Sequence, residues 1–179
     1  MSGMETRIAL LRGINVGRAR RIGMADLRRA IGGIGYANVR TLLNSGNVVY
    51  EAPIGADDAE RVEAAITAEL GIRSRVTTLS VDLLDRIVAE NPFADAENPS
   101  RALIAFVADP ARLAALDALA GRDWGAESLA VGRLAAFLSC PHGISAGVLA
   151  LEVDRALRDG VTMRNLATVA RLQAMAGAG

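Results

Sequence analysis

"NVRTLLNSGNVVYEA", residues 38–52, decides how this chain folds. Two apolar, β-branched runs flank Asn44-Ser45-Gly46-Asn47, and a Ser-Gly pair between such runs signals a tight turn. The stretch reads as two strands joined by a hairpin. Upstream, "TRIALLR" (6–12) is a short apolar run suited to a buried strand. "MADLRRAIGGIG" (24–35) places Met24, Leu27, Ile31 and Ile34 at helical spacing, and Gly32, Gly33 and Gly35 supply the stop. Downstream, "ADDAERVEAAITAELG" (56–71) is an amphipathic helix with Asp57 and Asp58 at its start and Gly71 at its end. The helix dipole and the C-terminal cap favour both placements. "IRSRVTTLS" (72–80) alternates as a further strand.

That order, strand-helix-strand-strand-helix-strand, is the split βαβ arrangement of ferredoxin-like domains. "VDLLDRIVAENPF" (81–93) follows as a helix ended near Pro92, and "ADAENPS" (94–100) reads as a polar linker with solvated Asp95 and Glu97. The pattern then begins again. "RALIAFVAD" (101–109) is a strand and "PARLAALDALAG" (110–121) a helix with proline in its first turn. "ESLAVGRLAAFLS" (127–139) is a hairpin turning at Gly132-Arg133. "SAGVLALEVDRALRDG" (145–160) is a helix, "VTMRN" (161–165) a last strand, and "LATVARLQAMA" (166–176) an extra helix. The expected fold class is α+β: two ferredoxin-like (alpha-beta plait, βαββαβ) subdomains, 1–80 and 101–179. The helix and loop of 81–100 join them, and the second carries the C-terminal helix. Element order repeats here, while the residues hardly do.

Hydrophobic residues make up 51% of 179, a globular composition, but aromatics are only 3%, so the core is aliphatic. Twenty basic and twenty acidic residues cancel, which argues against a general polyanion-binding surface. All twenty basic residues are arginine. Biased codon usage accounts for that, yet it excludes a Schiff-base lysine, a phosphate-loop lysine and a Ser-Lys dyad. A single cysteine excludes an intramolecular disulfide and a cysteine-rich zinc site. "MSGMETRIALLRG" carries Glu5 and only a short apolar run, unlike a secretory signal, and no run is long enough to span a membrane. The expected setting is the cytoplasm, with no membrane partner, no metal and no cofactor.

In a split βαβ sheet the first and second strands run parallel with the third between them. The first strand then ends on the edge where the second turns back. This brings "RGINVGRARR" beside "NSGN" and gathers Arg12, Asn15, Arg18, Arg20, Arg21, Asn44, Ser45 and Asn47. Gly13, Gly17 and Gly46 let backbone N–H groups approach a ligand. Arginine offers a fork of donors, and asparagine both donates and accepts, so the edge suits a phosphate or carboxylate. Asn and Gly are also the ordinary residues of tight turns. The loop is no phosphate loop: three residues separate Gly13 from Gly17, and no lysine follows.

"ALLRGINVG", "MADLR", "TLLNSGNVVYE", "NPF" and "TMRNLATVARL" resemble the bacterial domain of unknown function 1697 family, from about Arg7 to Leu172. The resemblance implies alpha-beta plaits arranged in two subdomains and implies no established activity. Family members often carry a basic Ser-Lys segment after an Asp-Gly-Ile turn. Here the run is "PHGISAGVLA", with His142 at the acidic position and Ala146-Gly147 where the basic residue would lie. A lysine-dependent role is therefore not implied for this chain.

"TMRN" supplies Arg164 and Asn165 as a second Arg-Asn cluster, while Thr162 or Asn165 can instead cap the final helix. Cys140 and His142, two residues apart in a turn, would need facing side chains and a third orienting group to act as a nucleophile-base pair. The first expectation is therefore a small anionic ligand held by Arg12, Gly13, Asn15, Gly17, Arg18, Asn44, Ser45, Gly46 and Asn47, with Arg164 and Asn165 assisting. The second is a non-catalytic RNA- or protein-binding module using the same basic loop. It ranks lower because net charge is zero and the sheet offers only Tyr50 for stacking.

Overall fold

The computed structural model describes residues 3–18, 20–56 and 58–178; Asp57, named above at a helix start, lies outside them. The protein is mixed α+β, with two four-stranded antiparallel sheets and six α-helices among the described residues. It divides into two compact units, Met1–Leu84 with Arg171–Gly179, and Asp85–Ala170.

In the first unit, β1 (Met4–Leu11), β2 (Ala37–Leu42), β3 (Asn47–Pro53) and β4 (Val76–Ser80) lie in the order β2-β3-β1-β4. β3 pairs antiparallel with both β1 and β2, so those two run parallel with β3 between them. From Asn47 to Tyr50 every residue of β3 is buried. A continuous apolar run, rather than alternation, marks such a central strand. α1 (Met24–Gly33) and α2 (Ala59–Leu70) turn Leu27, Ile31, Val62 and Ile66 against Ala9, Leu11, Val48 and Tyr50. The four-residue spacing puts each pair on one helix face, and each fully buried side chain contributes about 2 kcal/mol. α2 ends where Gly71, at φ 66, donates its N–H to the Thr67 carbonyl at 3.0 Å.

Asp58 precedes α2 but makes no side-chain cap. Its carboxylate is wholly buried and receives Arg7 Nε at 2.8 Å, Arg7 Nη2 at 3.1 Å and the Tyr50 hydroxyl. Arg7 and Tyr50 face each other across β1 and β3, which aims both at the helix start. Arg7 Nη1 also donates to Glu5 at 3.0 Å. Burial alone would lower the Arg7 pKa, but its hydrogen bonds and charge pairing with Asp58 hold it above the usual arginine range. Burial, then the hydrogen bond donated to Asp58, lifts the Tyr50 phenol well above its ordinary value.

The Tyr50 shift has a sign that can be measured. Above about pH 10 an unfolded tyrosine ionises while native Tyr50 keeps its proton. The native state then holds the extra proton, so stability falls as pH rises. Between pH 8 and pH 11 the wild type should lose about 1 kcal/mol more than Tyr50→Phe in urea denaturation. Equal losses would remove Tyr50 as the cause.

In the second unit, β5 (Ala102–Val107), β6 (Ser128–Val131), β7 (Ala135–Ser139) and β8 (Val161–Asn165) lie in the order β6-β7-β5-β8. All six residues of β5 are buried. α3 (Val81–Ala89) follows β4, and α6 (Leu166–Gly177) follows β8. The helix expected over 110–121 is instead a 3-10 turn, Pro110–Leu116, running into the one-turn α4 (Asp117–Ala120). Asp109 opens it by accepting from Ala111 N at 2.9 Å.

The helix expected over 145–160 begins late, as α5 (Leu149–Leu157). Glu127 decides the start: one carboxylate oxygen accepts from Val148 N at 3.0 Å and Leu149 N at 3.1 Å. A carboxylate there satisfies orphan amides and the helix dipole together. Any Cβ on Gly147 would collide with it.

Candidate functional site

The loop after β1 is pinned at two points. Ile14 and Ile22 are buried in the core of the first unit, while Val16, Gly17, Arg18, Arg20 and Arg21 between them are exposed. Asn15 closes the loop: its N–H donates to the Arg20 carbonyl at 3.0 Å, and its Oδ1 accepts from Ile22 N at 2.8 Å. Its Nδ2 donates to the Ile22 carbonyl at 3.1 Å and the Asn44 carbonyl at 2.6 Å. Both amide protons are thus committed to backbone. Asn15 is the clasp that joins the loop to the hairpin turn.

The turn, residues 43–46, is built the same way. Asn47 is fully buried, and its Nδ2 donates to the Leu42 carbonyl at 3.0 Å and Ser45 Oγ at 2.9 Å. Gly46 sits at φ 80, and its carbonyl accepts from Leu11 N at 2.8 Å. A Cβ there would lie 2.7 Å from Leu11 Cβ and 3.0 Å from Ile14 Cδ1. Glycine is required both for the left-handed backbone and for this close approach. Arg12 ties the edge to the segment just before β4, its N–H donating to the Arg75 carbonyl at 2.9 Å.

Between loop and turn lies a cleft of about 630 Å³ lined by Asn15, Arg21, Ile22, Gly23, Met24, Leu43, Asn44 and Ser45. Its floor includes the start of α1, where Gly23 is the N-cap and no side chain caps the amides. Asp26 comes close to that end: its Oδ2 lies 3.0 Å from where a Cβ on Gly23 would stand, and it pairs with Arg29. Arg21 Nη2 donates to the Gly17 carbonyl at 3.1 Å. Among the described residues, no hydrogen bond or ion pair engages the side chains of Arg18, Arg20 or Asn44.

Among the described residues five non-glycine residues take the left-handed region, and three of them lie here: Asn15 at φ 53, Arg20 at φ 51 and Leu43 at φ 58. Asparagine tolerates that conformation; leucine does so at a cost of about 1 kcal/mol. Gly13 (φ 66) and Gly17 (φ 62) take the same region freely.

The expected site residues therefore separate into two groups. Asn15, Gly46 and Asn47 build the edge, while Arg18, Arg20, Asn44 and the exposed Ser45 are presented by it. Sequence reading named Leu43, Gly23 and Met24 for no role at the site. Only the pairing of loop with turn reveals them.

Arg164 and Asn165 belong to the second unit. Arg164 Nη1 donates to Thr162 Oγ1 at 3.0 Å and to the Met163 carbonyl at 2.9 Å. Burial pulls its pKa down to about 10. Asn165 Oδ1 accepts from Thr168 N at 2.9 Å and so caps the start of α6. Cys140 is buried, and burial, then the neighbouring Glu127 carboxylate, pushes its thiol up to about 12. Such a thiol stays protonated and unreactive near neutral pH. Among the described residues no group of three or more His, Cys, Asp or Glu could hold a metal ion. No described helix is long and apolar enough to cross a membrane.

A family model described as a protein of unknown function matches residues 4–137, well over half the chain. The chain belongs to the DUF1697 family. The match takes in the whole of the loop, the turn and the cleft of this DUF1697 protein. It is similar in structure to the conserved bacterial protein SP0830 from Streptococcus pneumoniae, with a TM-score of 0.77 and 22% identity. That alignment covers 97% of this chain and 99% of the other, so the two share their fold end to end. An unknown protein from Galdieria sulphuraria aligns at a TM-score of 0.28 and 14% identity over 90% of this chain and 97% of its own. No curated protein matches the chain.

Proposed function

We propose that this DUF1697 protein is a cytoplasmic pair of ferredoxin-like subdomains, arisen by duplication, whose first subdomain binds a small anionic ligand. Strand orders β2-β3-β1-β4 and β6-β7-β5-β8 follow one scheme, which supports the duplication. The ligand carries a phosphate or carboxylate and sits in the cleft between loop and turn. One observation carries this reading: Arg21 and Asn44 line a cleft that ends at the start of α1, where no side chain caps the amides, and the same loop presents the exposed Arg18 and Arg20, whose side chains have no hydrogen-bond or ion-pair partner among the described residues. Guanidinium forks and helix-start amides both favour an anion.

The RNA-binding alternative has less support. Tyr36 and Tyr50 stack with centroids 5.2 Å apart, but both are buried and offer no platform for bases.

Inorganic phosphate titrated by calorimetry tests the anion reading. Arg18→Ala/Arg20→Ala, which removes no side-chain hydrogen bond or ion pair among the described residues, should weaken binding about tenfold by taking two exposed charges from the loop beside the cleft. Asp26→Asn should tighten it about threefold, because a carboxylate no longer competes at the helix start. Phosphate binding that ignores both changes, or no binding of phosphate or acetate at millimolar concentration, rejects the site.

A further inference from the structure

Leu43 is the wall of the cleft that an anion does not explain. It is 47% exposed, bulky, and held at φ 58, where glycine or asparagine sits at little cost. Asn44, a residue suited to that conformation, stands one position later. Instead the left-handed position presents an isobutyl group to a cleft that Ile22 and Met24 also line. The volume, about 630 Å³, is far more than an inorganic ion fills and falls within the range of pockets that hold organic molecules.

Resting on the anion reading above, we infer that the ligand carries a flat apolar ring beside its anionic group, and that the ring seats against Leu43 and Met24. Leucine supplies apolar contact area, and a methionine thioether makes favourable contacts with ring edges. Arg21 and Asn44 line the same space, on the loop and turn that also present the exposed Arg18, Arg20 and Ser45, and they take the anionic end. A nucleoside monophosphate and an aromatic acid share this chemistry.

Calorimetry with inorganic phosphate, phenyl phosphate, AMP and benzoate tests the inference. Phenyl phosphate should bind the wild type about tenfold more tightly than phosphate, the gain expected from covering one ring face. In Leu43→Gly and Leu43→Asn, both compatible with the native backbone, that affinity ratio should fall to about two. Thermal melting confirms that both variants are folded. Tighter AMP than phenyl phosphate supports a nucleotide; benzoate tighter than acetate, the carboxylate of the preceding test, supports an aromatic acid. Equal binding of phosphate and phenyl phosphate to the wild type overturns the ring and leaves the anion site standing, as does a tenfold ratio that survives both substitutions. If none of the four probes binds, the anion reading and the ring fall together.

Discussion

Replacing Asp58 with alanine is expected to lower the unfolding free energy by about 3–5 kcal/mol, the cost of breaking a buried ion pair from one side. The carboxylate is wholly buried, and it is the acceptor for both the Arg7 fork and the Tyr50 hydroxyl. The Arg7 side chain is 13% exposed and keeps Glu5 on its other nitrogen, which places the loss toward the lower figure. Asp58→Asn retains an oxygen acceptor and should lose about half as much. Urea denaturation with an unchanged m-value provides the measurement. Adding Arg7→Met to Asp58→Ala should restore part of the stability, because removing both charges leaves neither one buried alone. A loss below about 1 kcal/mol in Asp58→Ala would show that water reaches the cluster and that the pair does not hold α2 to the sheet.

Gly46→Ala should cost about 2–4 kcal/mol and abolish phosphate binding in whatever protein remains folded. About 1 kcal/mol comes from placing a Cβ residue at φ 80. The rest comes from overlap with Leu11 Cβ and Ile14 Cδ1, neither of which is the loose end of a long exposed chain. Relief requires the turn to swing away, which breaks the bond from Leu11 N to the Gly46 carbonyl and opens the cleft. Gly17→Ala is the control. Gly17 has a similar φ of 62 but open space around its Cβ position, so it should lose only about 1 kcal/mol. Equal losses at the two glycines would show that strain alone acts and that the close approach has no energetic weight.

How far these features could be read in advance differs from residue to residue. β3 and its turn are plain in "LLNSGNVVYE", since an apolar run broken by Asn-Ser-Gly-Asn has few other ways to bury itself. α1 and α2 show in the four-residue spacing of Leu27 with Ile31 and Val62 with Ile66, and Gly71 marks where α2 stops. The helices of the second half were harder. "SAGVLALEVDRAL" has helical periodicity from its first residues, yet α5 waits for Leu149 because Glu127, 21 residues away from Val148, fixes its first amides.

The candidate site divides in the same manner. Strand order alone brings loop and turn to one edge, and the order follows from the elements along the chain. Which side chains the edge offers does not follow. Asn15 and Asn47 carry the chemistry expected of ligand contacts, but their amides are committed to main-chain carbonyls and a serine hydroxyl. Leu43, which reads as a routine strand residue, is turned outward onto the cleft.

By itself the sequence determined the strands, most of the helices, their order and the meeting of two Gly-Asn segments, because hydrophobic period and turn residues act within a few positions along the chain. The tertiary structure decided that Asp58 is buried by Arg7, 51 residues away, that the two asparagines face inward, and that Arg18, Arg20, Asn44 and Leu43 stay exposed. Those outcomes depend on strand register, which sets the facing partners residue by residue, and a one-residue slip would have exchanged every one of them.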